Sequence, residues 1–194
     1  MTARPDEELL RAYAEGDAGA FESLFVRYRT PLFNFLLRRV GDRGHAEELY
    51  QDTWTKVIER CDDFRGDAKF STWLYTIARN GCIDHQRKMK FRRHASLDET
   101  ERGAVHPKVE RVANPGPRTD DLAGGAALRD RIGDAVAELP EDQREVFLLR
   151  QLQGLGFKEI AEVVGVPVNT VKSRMRYALE RLQQGLGDLR ENTG

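Results

Sequence analysis

Between Asn169 and Tyr177 the chain collects side chains suited to recognition rather than to making or breaking bonds. Asn169, Thr170, Ser173 and Tyr177 bring hydrogen-bonding or planar groups, and Lys172, Arg174 and Arg176 bring fixed positive charge. At ~100° per residue, Asn169, Thr170, Ser173, Arg176 and Tyr177 share a face turned away from an apolar stripe of Val168, Val171, Met175, Leu179 and Leu182, with Lys172 and Arg174 flanking it. Hydrogen-bonding groups in the middle suit base edges, and flanking cations suit phosphates. An ordinary surface helix carries similar solvated charges, so the pattern alone leaves both readings open. Glu180 also points outward, which confines a DNA contact to the start of the helix.

The elements that must position this face are legible next to it. Ile160, Val163 and Val164 recur at helical spacing, and Gly165-Val166-Pro167 then interrupts. Glycine suits a left-handed position after a helix, and proline cannot continue an interior helical ladder. Two short helices joined by a tight turn are helix-turn-helix patterning, in which the second helix can enter a major groove.

A second cluster lies in the first half. In the helix expected from Lys69 to about Lys88, Phe70, Trp73, Leu74, Ile77 and Gly81 form one face, and Tyr75 and Arg79 project elsewhere. Asn80, Asp84 and Arg87 make a polar stripe, and the basic run HQRKMKFRR follows. Aromatics interleaved with Arg, Lys and Asn can stack exposed bases and neutralise phosphates, although Phe70 and Trp73 equally suit a core. Upstream, Glu47, Glu48, Gln51, Asp52 and Thr55 cover the outer side of another helix, whose inner side is Ala46, Leu49, Trp54, Val57 and Ile58. As pattern, that acidic face reads equally as solvated surface or as a docking surface.

Composition narrows the function classes. The 194 residues are 40% hydrophobic and 32% charged, with a formal net charge of −1, so DNA binding must rest on locally clustered cations. Cys61 and Cys82 have no ligand or redox spacing, and His45, His85, His94 and His106 are scattered, so no metal or cofactor is expected. No phosphate-cradling glycine loop or nucleophile motif appears, so no catalytic residue is assigned and the protein is not expected to be an enzyme. Without a spanning apolar run or a secretory leader, membrane insertion is not expected and the cytoplasm is the default location.

Along the chain every periodic stretch is helical. Leu9, Leu10, Tyr13 and Ala14 mark a first helix; Asp17 caps a second through Tyr28; Pro31 enters a further apolar run ending near Gly41. From His94 to Gly125 prolines and glycines break any long helix, which reads as a tether. Periodicity resumes with Leu128, Ile132, Val136 and Leu139, and Pro140 opens the helix before the helix-turn-helix. The expected fold is all-α: two small helical domains joined by a flexible linker, with residues 1–93 as the first domain, 94–126 as linker, 127–189 as the helix-turn-helix domain and 190–194 as a tail.

The segments HAEELYQDTWTKV, FRGDAKFSTWLYTIARNGCIDHQRK and LPEDQREVFLLRQLQGLGFKEIAEVVGVPVNTVKSRMRYALERL, in this order, closely resemble the extracytoplasmic-function (ECF) group of bacterial RNA polymerase sigma factors. The resemblance covers nearly the whole chain and implies the following roles. Glu48, Gln51 and Asp52 would meet the clamp helices of the largest polymerase subunit, which turns the acidic face into a docking face. Phe64, Arg65, Gly66 and Lys69 would belong to a loop that receives a flipped base of the minus-ten element, with Tyr75, Arg79 and Asn80 on the supporting helix and Arg87 on upstream phosphate. Asn169, Thr170, Lys172, Ser173, Arg174, Arg176 and Tyr177 would read the minus-thirty-five element as duplex, with the second domain near the polymerase flap. The linker would thread near the active-site channel, where Asp98, Glu99 and Glu101 would imitate nucleic-acid charge. With no length left for a sensory domain, control would come from an anti-sigma factor.

Pro167 and Tyr50 depart from the pattern expected of the family, the first replacing a Ser or Thr cap and the second an aliphatic residue. A dimeric helix-turn-helix regulator binding an operator without polymerase is the competing reading. It accounts for Gly156 to Leu182 and leaves FSTWLYTIARN without a role.

Overall fold

The computed structural model describes residues 4–97 and 131–191. Among them every regular element is helical. The chain divides into two compact units, one at each end. Most of the expected linker, including Asp98, Glu99 and Glu101, lies outside the described residues.

The first unit is built from α1 (Asp6–Ala14), α2 (Ala18–Val40), α3 (Arg43–Glu59), a 3-10 turn at Cys61–Asp63 and α4 (Phe70–Leu97). The Asp17 carboxylate accepts from the Ala20 N–H at 3.2 Å, and that of Asp42 accepts from the His45 N–H at 2.8 Å, each satisfying a donor the helix start would otherwise orphan. Gly41, at φ 74°, closes α2 in the left-handed conformation. The core is Leu9, Leu10, Leu24, Leu32, Phe35, Leu36, Leu49, Trp54, Val57, Phe70, Leu74, Tyr75 and Ala78. Gly81 faces α3, where a Cβ would stand 3.4 Å from Leu49 Cδ2, so the small residue sets how closely α4 approaches.

Three expectations are corrected here. Pro31 does not divide two helices: α2 runs through it without a break. Proline forfeits one ladder bond, and burial of Leu24 before it and of Leu32, Phe35 and Leu36 after it outweighs that loss. Ile58, expected inward, is 43% exposed, and the inward place on α3 goes to Thr53. The Thr53 hydroxyl satisfies itself by donating to the Leu49 carbonyl at 2.7 Å, which makes its burial tolerable. Tyr75, expected to project, is only 1% exposed and packs edge-on to Phe35 with ring centroids 5.3 Å apart.

The second unit contains α5 (131–137), α6 (Glu141–Gln151), α7 (Phe157–Val164) and α8 (Val168–Glu191). Its core is aliphatic: Val136, Leu139, Val146, Leu148, Leu149, Leu155, Ile160, Val163, Val164, Val171, Met175, Ala178 and Leu182. The Glu159 carboxylate reaches back to the Gly156 N–H at 2.6 Å, which secures the start of α7. Gly165, at φ 72°, ends it. Pro167 cannot cap α8 with a side chain; its carbonyl instead accepts from the Thr170 and Val171 N–H groups at 2.9 and 3.2 Å. On α8 the buried stripe is Val171, Met175, Ala178 and Leu182, and Leu179, assigned inward from the sequence, is 46% exposed. The stripe passes through Ala178 at steps of four, three and four, which leaves the neighbouring Leu179 on the outward side.

Candidate nucleic-acid interface

On α8 the outward face is open. Asn169, Lys172, Ser173, Arg176 and Tyr177 are exposed and Thr170 is half-buried at the edge of the same surface. The Arg176 guanidinium lies 4.9 Å from the Tyr177 ring centroid and 3.6 Å from the Glu180 carboxylate, so the charge is held along the helix rather than free to wander. Arg174 is diverted from this face. Its Nε is 3.1 Å from the Asp142 carboxylate of α6, which ties α8 to α6. Arg150 acts similarly, donating to the Leu155 carbonyl at 2.8 Å and stacking over Phe157 at 5.1 Å, so the turn leading into α7 is fixed from α6.

In the first unit the loop before α4 and the exposed side of α4 form a second surface. Arg65, Gly66 and Lys69 are exposed and Phe64 is half-buried. Phe64 packs against Trp73 at 5.3 Å and Phe70 at 6.5 Å, so one aromatic anchor holds the loop while its cations face solvent. Gly66 adopts φ 76°, a left-handed conformation that a side chain would strain. On α4 Asn80 and Arg87 are exposed, Arg79 is half-buried, and Arg87 lies 3.9 Å from Asp84. Tyr75 has no surface to offer a base; burial, reinforced by the charge of Tyr28, pushes its phenol well above the ordinary value, as expected of a core group. Its expected place on the minus-ten surface is therefore corrected to core packing.

Sequence reasoning missed the part played by α1. The Glu7 carboxylate accepts from the Phe70 N–H at 2.9 Å and so caps α4 from 63 residues away. The Arg11 guanidinium approaches Gly66, at 4.0 Å from where a Cβ would be. Asp6 in turn accepts from the Tyr28 hydroxyl and pairs with Arg27, which fixes α1 to α2. Burial and that hydrogen bond push the Tyr28 phenol far above its ordinary value. The only signal in the sequence was the acidic start Asp6-Glu7-Glu8, which reads as a local helix-dipole feature and names no distant partner.

Glu48, Gln51 and Asp52 of α3 are exposed together on the side opposite buried Leu49, Thr53 and Trp54. Glu47 is exposed beside them, and exposed cations are most numerous on the second half of α4, at Arg87, Lys88, Lys90 and Arg92.

Residues 24–92 match the sigma-70 region 2 family, and residues 129–182 match sigma-70 region 4. The chain is 31% identical to the RNA polymerase sigma-H factor of Pseudomonas aeruginosa over 193 residues, 97% of each chain. It is likewise 31% identical to the ECF RNA polymerase sigma factor SigW of Bacillus subtilis, across 93% of this chain and 96% of that one. The chain is an ECF sigma factor. Among solved structures, it is similar to the sigma factor RpoE of Bartonella quintana in complex with the anti-sigma factor NepR, with a TM-score of 0.67, 27% identity, and coverage of 86% of this chain and 96% of that one.

As a sigma factor the chain is a subunit of transcription initiation and not an enzyme. Its region 2 match ends on the basic part of α4, and its region 4 match takes in the whole buried stripe of α8 from Val171 to Leu182. No helix among the described residues is long and apolar enough to cross a membrane.

Proposed function

We propose that this sigma factor docks on core RNA polymerase through Glu48, Gln51 and Asp52 and there reads two promoter elements with its two units. The acidic face of α3 meets the clamp helices of the largest subunit, and the second unit sits near the flap. Asn169, Thr170, Lys172, Ser173, Arg176 and Tyr177 read the minus-thirty-five element as duplex, and Arg174 helps only by holding α8 in place through Asp142. Phe64, Arg65, Gly66 and Lys69, with Arg79 and Asn80 behind them, receive a base pulled from the melted minus-ten strand, and Arg87 holds phosphate upstream. Extruding a base costs a few kcal/mol, which a shaped loop offsets for the right base.

The observation that carries this reading is the presence of two different surfaces on one small unit: Glu47, Glu48, Gln51 and Asp52 exposed together on α3, and Arg65, Lys69, Arg87, Lys88, Lys90 and Arg92 exposed on the loop and α4. A surface for protein and a surface for nucleic acid are what a subunit bridging the two requires. Residues 94–126 serve as the tether that lets both units grip once polymerase fixes the spacing of the elements. A subunit that starts transcripts on the chromosome would act in the cytoplasm. The anti-sigma partner of its structural relative supports control by masking, with a protein that covers the polymerase- and DNA-binding faces.

Purified chain is mixed with bacterial core polymerase, and transcript starts are mapped on a genomic library. The reading expects initiation at sites sharing two elements, and loss of core binding when Gln51→Ala and Asp52→Ala are combined. Full core affinity in that double variant would remove the docking assignment. Tight operator binding by the free protein as a dimer would favour the regulator alternative.

A further inference from the structure

Glu7 and Arg11 are four residues apart, so they stand on the same side of α1, the side that meets the loop ahead of α4. Glu7 is engaged at the far end of that loop, where its carboxylate accepts from the Phe70 N–H at 2.9 Å. Arg11 reaches the middle: its Nη2 is 4.0 Å from the point where a Cβ on Gly66 would stand. Arg11 is exposed, and among the described residues its guanidinium makes no ion pair or hydrogen bond. The acids of the neighbourhood, Asp62, Asp63 and Asp67, are exposed as well and leave it unpaired. Gly66, at φ 76°, puts no side chain between its backbone and the guanidinium. The N–H groups of Arg65, Gly66, Asp67 and Ala68 donate to no protein group among the described residues. An unpaired guanidinium facing bare loop amides suits an anion with oxygens on more than one side.

We propose that Arg11 grips the phosphate of the nucleotide whose base the loop at Phe64 to Lys69 receives, so that α1 adds a cation to the promoter-binding surface. This role rests on the reading of that loop as the seat of an extruded minus-ten base. A base drawn out of the stack takes its backbone with it, and the displaced phosphate needs a counter-charge beside the pocket. Arg65 and Lys69 belong to the loop itself. Arg11 stands instead on a helix fixed to α2 through Asp6, Arg27 and Tyr28, so the place of its charge is set from outside the loop. A phosphate is the same beside every base. Arg11 therefore adds affinity and orientation without choosing the base, a choice left to the loop.

The test uses holoenzyme assembled from the full chain and core polymerase, on fork-junction promoter templates whose minus-ten strand is unpaired. Wild type is measured with each base in turn at the extruded position, and then with a single uncharged methylphosphonate at the phosphate on one side or the other of it. Arg11→Ala is expected to weaken binding ~5-fold at low salt, alike for every base. It should also reduce the slope of log affinity against log salt by about 0.7, the share of one single-strand phosphate. One of the methylphosphonates should weaken wild type by a similar factor and Arg11→Ala hardly at all, since both changes remove the same contact. Arg11→Lys, which keeps the charge, should retain most of the affinity and the salt slope. Both variants should bind core as wild type does. Wild-type affinity and slope in Arg11→Ala would overturn the inference, as would a loss of core affinity or an equal loss on native and on both methylphosphonate templates. A changed order of base preference would also overturn it, because Arg11 would then act by shaping the loop. If wild-type holoenzyme prefers no base at that position, the reading of the loop fails first and takes the inference with it.

Discussion

The two units of this sigma factor solve the same problem, holding a polar surface steady, in opposite ways. The second unit does it locally. Its core is aliphatic, its exposed polar face lies on one helix, and the ties come from α6: Arg174 to Asp142 fixes α8, and Arg150 to Leu155 fixes the turn into α7. The first unit does it by long-range bracing. Phe35, Trp54, Phe70 and Tyr75 fill its core, and the loop ahead of α4 is held by Phe64 on Trp73 and by Glu7 of α1 on the Phe70 N–H. A duplex can be read by a rigid helix face, because its edges are already displayed in the groove. A base drawn out of the stack must be met by a loop, and a loop keeps its shape only if something outside it supports it.

The comparison breaks most visibly at Tyr75. Tyr75→Ala should destabilise the first unit by ~3–5 kcal/mol, as truncation of a buried aromatic does, and leave the melting of the second unit unchanged. Calorimetry of the full chain resolves the two. Tyr75→Phe, which keeps the ring, should leave minus-ten preference as in wild type. A changed base preference in that variant would restore Tyr75 to the DNA surface.

Next in size come the exposed cations of α8. Lys172→Ala and Arg176→Ala should each weaken use of the minus-thirty-five element by ~1–3 kcal/mol where a base contact is lost, measured as holoenzyme affinity for promoters with and without that element. Arg174→Ala should act differently, lowering the stability of the second unit and not the preference for any one base pair.

Glu7→Gln sharpens the claim that the loop is braced from afar. Replacing a charged cap by a neutral one should cost about 0.5–2 kcal/mol in the first unit. It should also reduce discrimination at the flipped base, with affinity for core retained. Selectivity identical to wild type would mean that the loop holds itself.

The smallest effect is one of pH. Burial, and His45 facing it at 4.4 Å, lower the pKa of His85 below its ordinary 6.5. The unfolded chain therefore binds this proton more readily than the folded one. The stability that His85 contributes is complete above pH ~6.5 and declines as pH falls from there through the lowered folded value. Residues 131–191 contain no histidine. Acidification from pH 7.5 to 5.5 should lower the melting temperature of the first unit more than that of the second, and His85→Asn should narrow the difference.

The same contrast explains what the sequence disclosed. The exposed polar face of α8 was legible because its residues share one helix and its period is visible in a single stretch; Leu179 was misplaced, and the Asp142 partner of Arg174 was not foreseen. Leu179 turned outward because Ala178 took the inner position, and Arg174 found Asp142, a partner that periodicity on α8 does not display. In the first unit the helices and most of the core followed from spacing, yet Tyr75 and Ile58 exchanged sides with expectation. Helix α4 packs against more than one neighbour, so its buried arc is wider than one stripe. Glu7 and Arg11 were out of reach, because a contact across 63 residues leaves no periodic trace.

Footprinting one promoter with holoenzyme and with the free chain, using hydroxyl radicals for duplex and permanganate for unpaired thymine, tests the division of labour directly. Holoenzyme should protect duplex at the upstream element and expose reactive thymines at the downstream one, and the free chain should do neither at the same concentration. Duplex protection by the free chain alone, with no reactive thymine when polymerase is added, would contradict the account.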